Sequence, residues 1–228
     1  MDPKQRAARA ALELITDNTV VGLGTGSTAA LFIDALGAAL RDGRLHRIRG
    51  IPTSERSADQ ARQQGIPLIS LSQGTGIDIT VDGADEIDPQ LDLIKGLGGA
   101  LLREKIVAQN SRQMVVIADE GKLVTALGTK QPLPIEVVPF EHEVQARFLK
   151  SLGCEPKLRR KDDGKEYITD NGNVIYDCRF KSIEQPAELE KTLKSRAGIV
   201  ETGLFIGIAS LALVADESGV RTIARPAR

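Results

Sequence analysis

The 228 residues correspond to one large domain or two small ones when set against the roughly 150 of a typical domain. Hydrophobic residues at 41% and charged residues at 27% exclude a disordered chain or a fibre. Thirty Lys and Arg against 31 Asp and Glu lack the basic excess that holding nucleic acid requires, and 3% aromatic residues with no Trp leave little for stacking platforms.

A ligand is therefore expected to be held by polar contacts, with no nucleic acid as partner. His46 and His142 read as solvated surface, and Cys154 and Cys178 as inert small hydrophobes. Their spacing fits no zinc site, so a structural zinc is not expected. The opening MDPKQRAARA lacks the apolar segment of a secretory leader, and no stretch reaches the ~20 apolar residues that span a bilayer. The expectation is a cytoplasmic, reduced protein with no membrane partner.

Asp2 and Pro3 open a helix whose Ala8, Leu12 and Ile15 recur at helical spacing up to Thr16-Asp17-Asn18. Thr19 to Leu23 reads as a strand, followed by the turn Gly24-Thr25-Gly26-Ser27-Thr28 and a helix bearing Leu31, Ala35, Leu36 and Ala39. The unit recurs with strand Arg47 to Pro52, helix Ser54 to Gly65 and strand Leu68 to Leu71. Strand Ile77 to Val81 then leads into Asp82-Gly83-Ala84-Asp85-Glu86, and a helix from about Gly99 to Asn110 precedes the apolar strand Met114 to Ala118. Such alternation predicts a Rossmann-like, mostly parallel sheet with helices on both faces.

From about Pro132 the rhythm changes. Strand Leu133 to Phe140, helix Glu143 to Leu152, strands Pro156 to Arg160 and Tyr167 to Phe180, helix Pro186 to Arg196 and strand Val200 to Phe205 give the order βαββαβ of a smaller, ferredoxin-like α+β domain. Asp170-Asn171-Gly172-Asn173 marks a tight hairpin turn. Ile208 to Ala215 and Val220 to Ile223 form a strand pair that returns to the first sheet. The predicted domains are 1–130 with 207–228, and an insert at 131–206.

The turn at 24–28 lies between strand and helix, where free N–H groups favour an anion. The dinucleotide fingerprint fails, because Ser27 stands where the third glycine belongs and no acid ends the next strand. Three hydroxyls, of Thr25, Ser27 and Thr28, suit a phosphate monoester or a sugar hydroxyl; an ordinary capped turn is the alternative. Thr53-Ser54-Glu55-Arg56-Ser57 repeats the logic, with Thr53 or Ser54 as cap.

Asp82, Asp85 and Glu86 crowd three carboxylates into five residues, which suits a metal, paired cations, a shared proton or a solvated acidic turn. In Lys95-Gly96-Leu97-Gly98-Gly99-Ala100-Leu101-Leu102-Arg103-Glu104-Lys105, Glu104 has only apolar neighbours one turn away on either side, and Arg103 and Lys105 nearly so. Desolvation of the Glu104 carboxyl suits it to general-base work; a structural ion pair is the alternative. Lys95 reads as a mobile cation able to face Asp82 and Asp85 across a ligand. Lys122 follows another strand end, where a phosphate contact is one reading and an exposed loop lysine the commoner one, and Arg159-Arg160-Lys161 is most simply a solvated hairpin end.

Taken together and in this order, Gly24-Thr25-Gly26-Ser27-Thr28, Asp82-Gly83-Ala84-Asp85-Glu86 and Lys95-Gly96-Leu97-Gly98-Gly99 with Arg103-Glu104-Lys105 make a chain that resembles the ribose-5-phosphate isomerases of the A type along its length. The family's Lys-Gly segment often carries a third glycine where Leu97 stands here. Leu133-Pro134-Ile135-Glu136-Val137 resembles the entry to the family's second domain. The resemblance implies metal-independent interconversion of ribose 5-phosphate and ribulose 5-phosphate through an enediolate, with no metal and no cofactor expected. It makes Glu104 the base, Asp82 an aid to ring opening, and Asp85 and Lys95 groups that position hydroxyls and stabilise the developing oxyanion. It further implies substrate contacts at Thr25, Gly26, Ser27, Thr28, Gly83, Ala84, Gly96, Leu97, Gly98 and Lys122, and a homodimer or homotetramer; separately from the resemblance, the βαββαβ domain is expected to build subunit contacts. A sugar-phosphate sensor and an acyl-transferring enzyme with a nucleophilic glutamate are the other classes this scaffold allows.

Overall fold

The structure, a computed structural model, describes residues 2–73 and 76–226; the outermost predicted domain bounds, 1 and 228, lie outside them. In chain order its elements begin with α1 (Pro3–Leu12), β1 (Val20–Leu23), α2 (Ser27–Arg41), β2 (Arg49–Pro52), α3 (Glu55–Gln63), β3 (Ile79–Asp82), β4 (Glu86–Ile87) and β5 (Leu93–Ile94). They continue with α4 (Leu101–Gln109), β6 (Met114–Asp119), β7 (Leu133–Val137), α5 (Glu143–Ser151), β8 (Glu155–Leu158) and β9 (Val174–Arg179). The last are α6 (Pro186–Lys194), β10 (Ile199–Thr202), β11 (Leu204–Phe205), β12 (Leu211–Ala215) and β13 (Val220–Ala224). The chain forms two compact units, one of Met1–Ala84, Arg103–Lys122 and Gly207–Arg228, the other of Asp85–Leu102 and Leu123–Ile206.

The first unit is built on a six-stranded sheet of order β13-β12-β6-β3-β1-β2. All neighbours pair in parallel except β12 with the edge strand β13, so the expected return of the last strand pair is observed. Strand side chains alternate between faces. Val21, Leu23, Val81, Val115 and Ile117 enter one core with Phe32, Ile33 and Leu36 of α2 and the alanines of α1. Val20, Ile51 and Ile77 enter another with Val107 of α4. Both faces are thus covered, which is why these strands read as near-continuous apolar runs. One predicted feature differs. Leu68 to Leu71 makes only a bridge from Leu68 to Gly50, because Pro52, the next residue of β2 that would donate, has no N–H, and Leu71 already opens a 3-10 turn. The helix cap at residues 53–54 is Ser54, whose hydroxyl accepts from Ser57 N at 3.0 Å.

The second unit contains the predicted βαββαβ series, its four strands ordered β10-β7-β9-β8 with antiparallel pairing throughout. Leu133, Ile135, Val137, Val174, Tyr176 and Cys178 face Leu149 of α5 and Leu193 of α6 in one core, which also holds Cys154. The stretch Tyr167 to Phe180 is a strand only from Val174; its first half turns back through the Asn-Gly hairpin, where Thr169 C=O accepts from Gly172 N at 2.9 Å and Gly172 has φ +79°. Val200 to Phe205 breaks at Gly203, where an added Cβ would lie 2.2 Å from the Lys95 carbonyl oxygen. His142 is buried rather than solvated, because its Nδ1 meets the Tyr176 hydroxyl at 2.8 Å.

Residues 85–102 and 123–130 belong to this second unit, not to the first domain as the sequence suggests. β4 and β5, too short to carry a periodicity, pair with β11 in a three-stranded sheet. The fully buried Glu86 also accepts from the backbone N–H groups of Gly128, Lys130 and Gln131, each at 2.6 Å. A carboxylate in this position replaces a missing strand partner for three amides. We predict that Glu86→Ala destabilises the protein by about 3 kcal/mol or more, since each buried donor left unmet costs ~1–3 kcal/mol. A urea unfolding midpoint equal to the parent's would show that these amides find other partners.

Candidate active site

Because β2, β1, β3 and β6 run parallel, the segments that follow them emerge at one edge of the first unit's sheet: 53–57, 24–28, 82–84 and 120–122. Ligands of open α/β sheets bind at this edge. Asp82, 1% exposed, ends β3, and its Oδ1 accepts from Thr25 N at 3.0 Å and Gly83 N at 2.7 Å. Gly24 makes that possible. A Cβ there would stand 2.2 Å from Asp82 Oδ1 and 2.6 Å from its Cα. Gly26, at φ +130°, turns the chain into α2, whose first residue, Ser27, is exposed.

One expectation about this turn is corrected. The Thr25 hydroxyl is directed inward, within 2.7 Å of Thr53 Oγ1, 2.8 Å of Ser54 Oγ and 3.0 Å of Ser57 Oγ. Ser57 Oγ in turn donates to the Gly24 carbonyl at 2.8 Å. The second hydroxyl-rich turn therefore braces the first. A further cation escaped the sequence reading: Lys4 of α1 donates from Nζ to Ser27 Oγ at 3.2 Å. Its partner is 23 residues away, and only α1's position against α2 brings them together.

Glu104, 3% exposed, lies one turn before Val107 on the same side of α4, and Val107 packs against Gly22 of β1. Lys105 is also buried. Arg103 is not: its side chain is a third exposed and pairs with Glu55 at 2.7 Å, holding the Glu55 carboxyl below the usual carboxylate range. Lys122 sits half-buried in a short 3-10 turn after β6.

In the second unit, Asp85 Oδ2 accepts from Leu97 N at 3.0 Å. Lys95 is 2% exposed, with its ammonium 5.5 Å from the Phe205 ring centre and its own N–H donated to Gly203 at 2.9 Å, so it is a fixed cation rather than a mobile one. Gly96 and Gly99 have φ of +102° and +83°, conformations that favour glycine. Leu97 is not among the residues at positive φ, which explains how leucine is accommodated where the resembled family often has glycine. Gly98 is exposed. Among the described residues no cluster of three or more His, Cys, Asp or Glu is placed to hold a metal ion.

A parallel sheet with a glycine-rich helix start at its carboxyl edge, and buried carboxylates on the strand and helix beside it, is an α/β fold with a candidate ligand site at that edge. Residues 49–219 match the family described as ribose 5-phosphate isomerase A (phosphoriboisomerase A). Ribose-5-phosphate isomerase A of Gloeobacter violaceus is 52% identical over 221 residues, 96% of this chain and 95% of that one. The structure of ribose 5-phosphate isomerase A from Methanocaldococcus jannaschii superposes with a TM-score of 0.93 at 44% identity, covering 98% of each chain. A D-ribose-5-phosphate isomerase in complex with phospho-erythronic acid gives 0.96 at 41% identity, covering 99% of this chain and 100% of the other. The chain belongs to the ribose 5-phosphate isomerase A family. Its reaction class is accordingly that of the aldose–ketose isomerases, acting between ribose 5-phosphate and ribulose 5-phosphate in the pentose phosphate pathway.

We predict that Gly24→Ala, whose new methyl group must displace the Asp82 carboxylate, destabilises the fold by about 1–3 kcal/mol, the usual cost of overpacking. Turnover falls with it. Parental unfolding and turnover in this variant would show that the Asp82 clamp is dispensable.

Proposed function

We propose that Glu104 is the base that carries the proton between C2 and C1, and that Asp82 assists opening of the sugar ring. In the aldose-to-ketose direction Glu104 takes the proton from C2 of the open-chain sugar, the C1 carbonyl oxygen takes up the electron pair, and a cis-enediolate results. Returning the proton to C1, with the O2 proton passing to O1, completes the ketose. Lys95 supplies positive charge to the enediolate oxygens, and Asp85 orients hydroxyls. The turn Thr25 to Thr28 holds the ligand through Gly26, Ser27 and the N-terminus of α2, with Gly83, Ala84, Gly96, Leu97, Gly98 and Lys122 as further contacts. No metal enters this scheme.

The observation that carries the reading is Glu104 itself, a carboxylate 3% exposed whose neighbours one turn away along α4 are apolar, in a chain that matches the isomerase family over most of its length. The phospho-erythronic acid held by a similar isomerase supports it, since a sugar-acid carboxylate shares the planarity and charge of an enediolate. We also read the chain as a cytoplasmic homodimer or homotetramer whose second unit supplies subunit contacts. Two free thiols support a reducing compartment, and Phe140, 82% exposed, is an apolar side chain such a contact would cover.

The expected result is rapid conversion of ribose 5-phosphate by the parent and a loss of ~10²- to 10⁴-fold in turnover for folded Glu104→Gln. Near-parental turnover in that variant removes Glu104 from the role. Exhaustive chelation is expected to leave the parent's rate unchanged. Loss restored by magnesium would instead make the carboxylates of Asp82 and Asp85 metal ligands.

A further inference from the structure

Arg159 directly follows β8, where the sequence suggests a solvated hairpin end, yet its side chain is only 12% exposed. Every nitrogen of its guanidinium is engaged. Nε and Nη2 form a fork on Asp177, at 2.9 Å to Oδ2 and 2.5 Å to Oδ1. Nη1 donates to two successive carbonyl oxygens, Gly96 at 3.1 Å and Leu97 at 3.2 Å. The guanidinium also lies 5.7 Å from the centre of the Tyr167 ring. That ring's hydroxyl end covers Gly99 so closely that a Cβ there would be 2.1 Å from Tyr167 Oη.

The second partner of the same loop is Asp85, which accepts from Leu97 N. The Gly96–Leu97 peptide group is thus gripped at both ends, its C=O by a cation and its N–H by an anion. A trans peptide points its N–H opposite its C=O. With the Leu97 carbonyl turned onto Arg159, the N–H of Gly98 is aimed away from the guanidinium, at a residue that is exposed. Lysine could not do this, because only the planar fork holds a carboxylate and two carbonyls in fixed directions at once.

We propose that Arg159 is a positioning residue for the isomerisation: oriented by Asp177 and Tyr167, it fixes the 95–99 loop so that Lys95 and the Gly98 N–H are presented in one geometry. The inference rests on the assignment of that loop to substrate. It also gives the Asp85 carboxylate a definite task in holding the loop. Arg159 itself touches no reacting atom in this scheme.

The test compares parent, Glu104→Gln, Arg159→Gln and Arg159→Lys by ribose 5-phosphate turnover, urea unfolding and hydrogen exchange of the 95–100 segment. Both Arg159 variants are expected to lose ~10²-fold in kcat and kcat/KM together, as for a misplaced catalytic group. Exchange of the loop amides speeds up while the unfolding midpoint stays near the parent's. Should Arg159→Gln fail to fold, Asp177→Asn, which loosens the fork with Arg159 in place, carries the same expectation at smaller size. An active parent, an inactive Glu104→Gln and parental kinetics and loop exchange in the Arg159 variants would overturn the positioning role and leave the isomerase assignment standing. No conversion by the folded parent would overturn both.

Discussion

The first unit is organised around the contact between the Asp82 carboxylate and the backbone of Gly24 and Thr25. A buried carboxylate needs donors, and here they include the Thr25 amide at the end of the neighbouring parallel strand and the amide of Gly83, the residue that follows Asp82. To reach them the carboxylate occupies the volume a side chain at position 24 would fill. The same contact fixes where the chain leaves β1 and therefore where α2 starts. The inward Thr25 hydroxyl, braced by Thr53, Ser54 and Ser57, secures the turn from its other side. The two polar turns that appear in the sequence as parallel ligand sites are one assembly, in which the second braces the first.

Several charged side chains, buried or half-buried, hold backbone that lacks a regular partner. Asp82 takes two amides, Glu86 three, Asp85 one, and Arg159 two carbonyls. Glu136 gathers Thr169, Asn171 and Asn173 of the hairpin onto a single oxygen. Each contact orders a segment that has no ladder of its own. Loops held this way can stay irregular, as a binding surface requires, without becoming loose.

Much of this was legible in advance. The period-two and period-3.6 patterns gave the parallel sheet, its helices and the βαββαβ series, since strands buried on both faces and amphipathic helices leave a local record. The motifs at 24–28, 82–86 and 95–105 gave the candidate site for the same reason: glycine and carboxylate at a strand end are informative by position. What remained hidden depends on partners distant in sequence. β4 and β5 are two residues each, and their membership of the second unit comes from β11 and from the Glu86 amides. Arg159 and His142 read as solvent-facing because their partners, Asp177 and Tyr176, are 18 and 34 residues away. Lys95 read as mobile because nothing near it in sequence announces Phe205.

The first unit is assembled from three separate stretches, and β12 pairs with β6 from the far side of residues 123–206. During synthesis, therefore, Met114–Asp119, an apolar strand buried along nearly its whole length in the finished sheet, must wait for more than ninety further residues before its neighbour exists, as the spacing of Met114 and Ser210 shows. A nascent or prematurely ended chain displays that strand with one edge unpaired, the kind of surface on which strands of other chains add. The connectivity that lets one unit interrupt the other thus leaves the incomplete polypeptide with an apolar strand edge that only the last residues of the chain close.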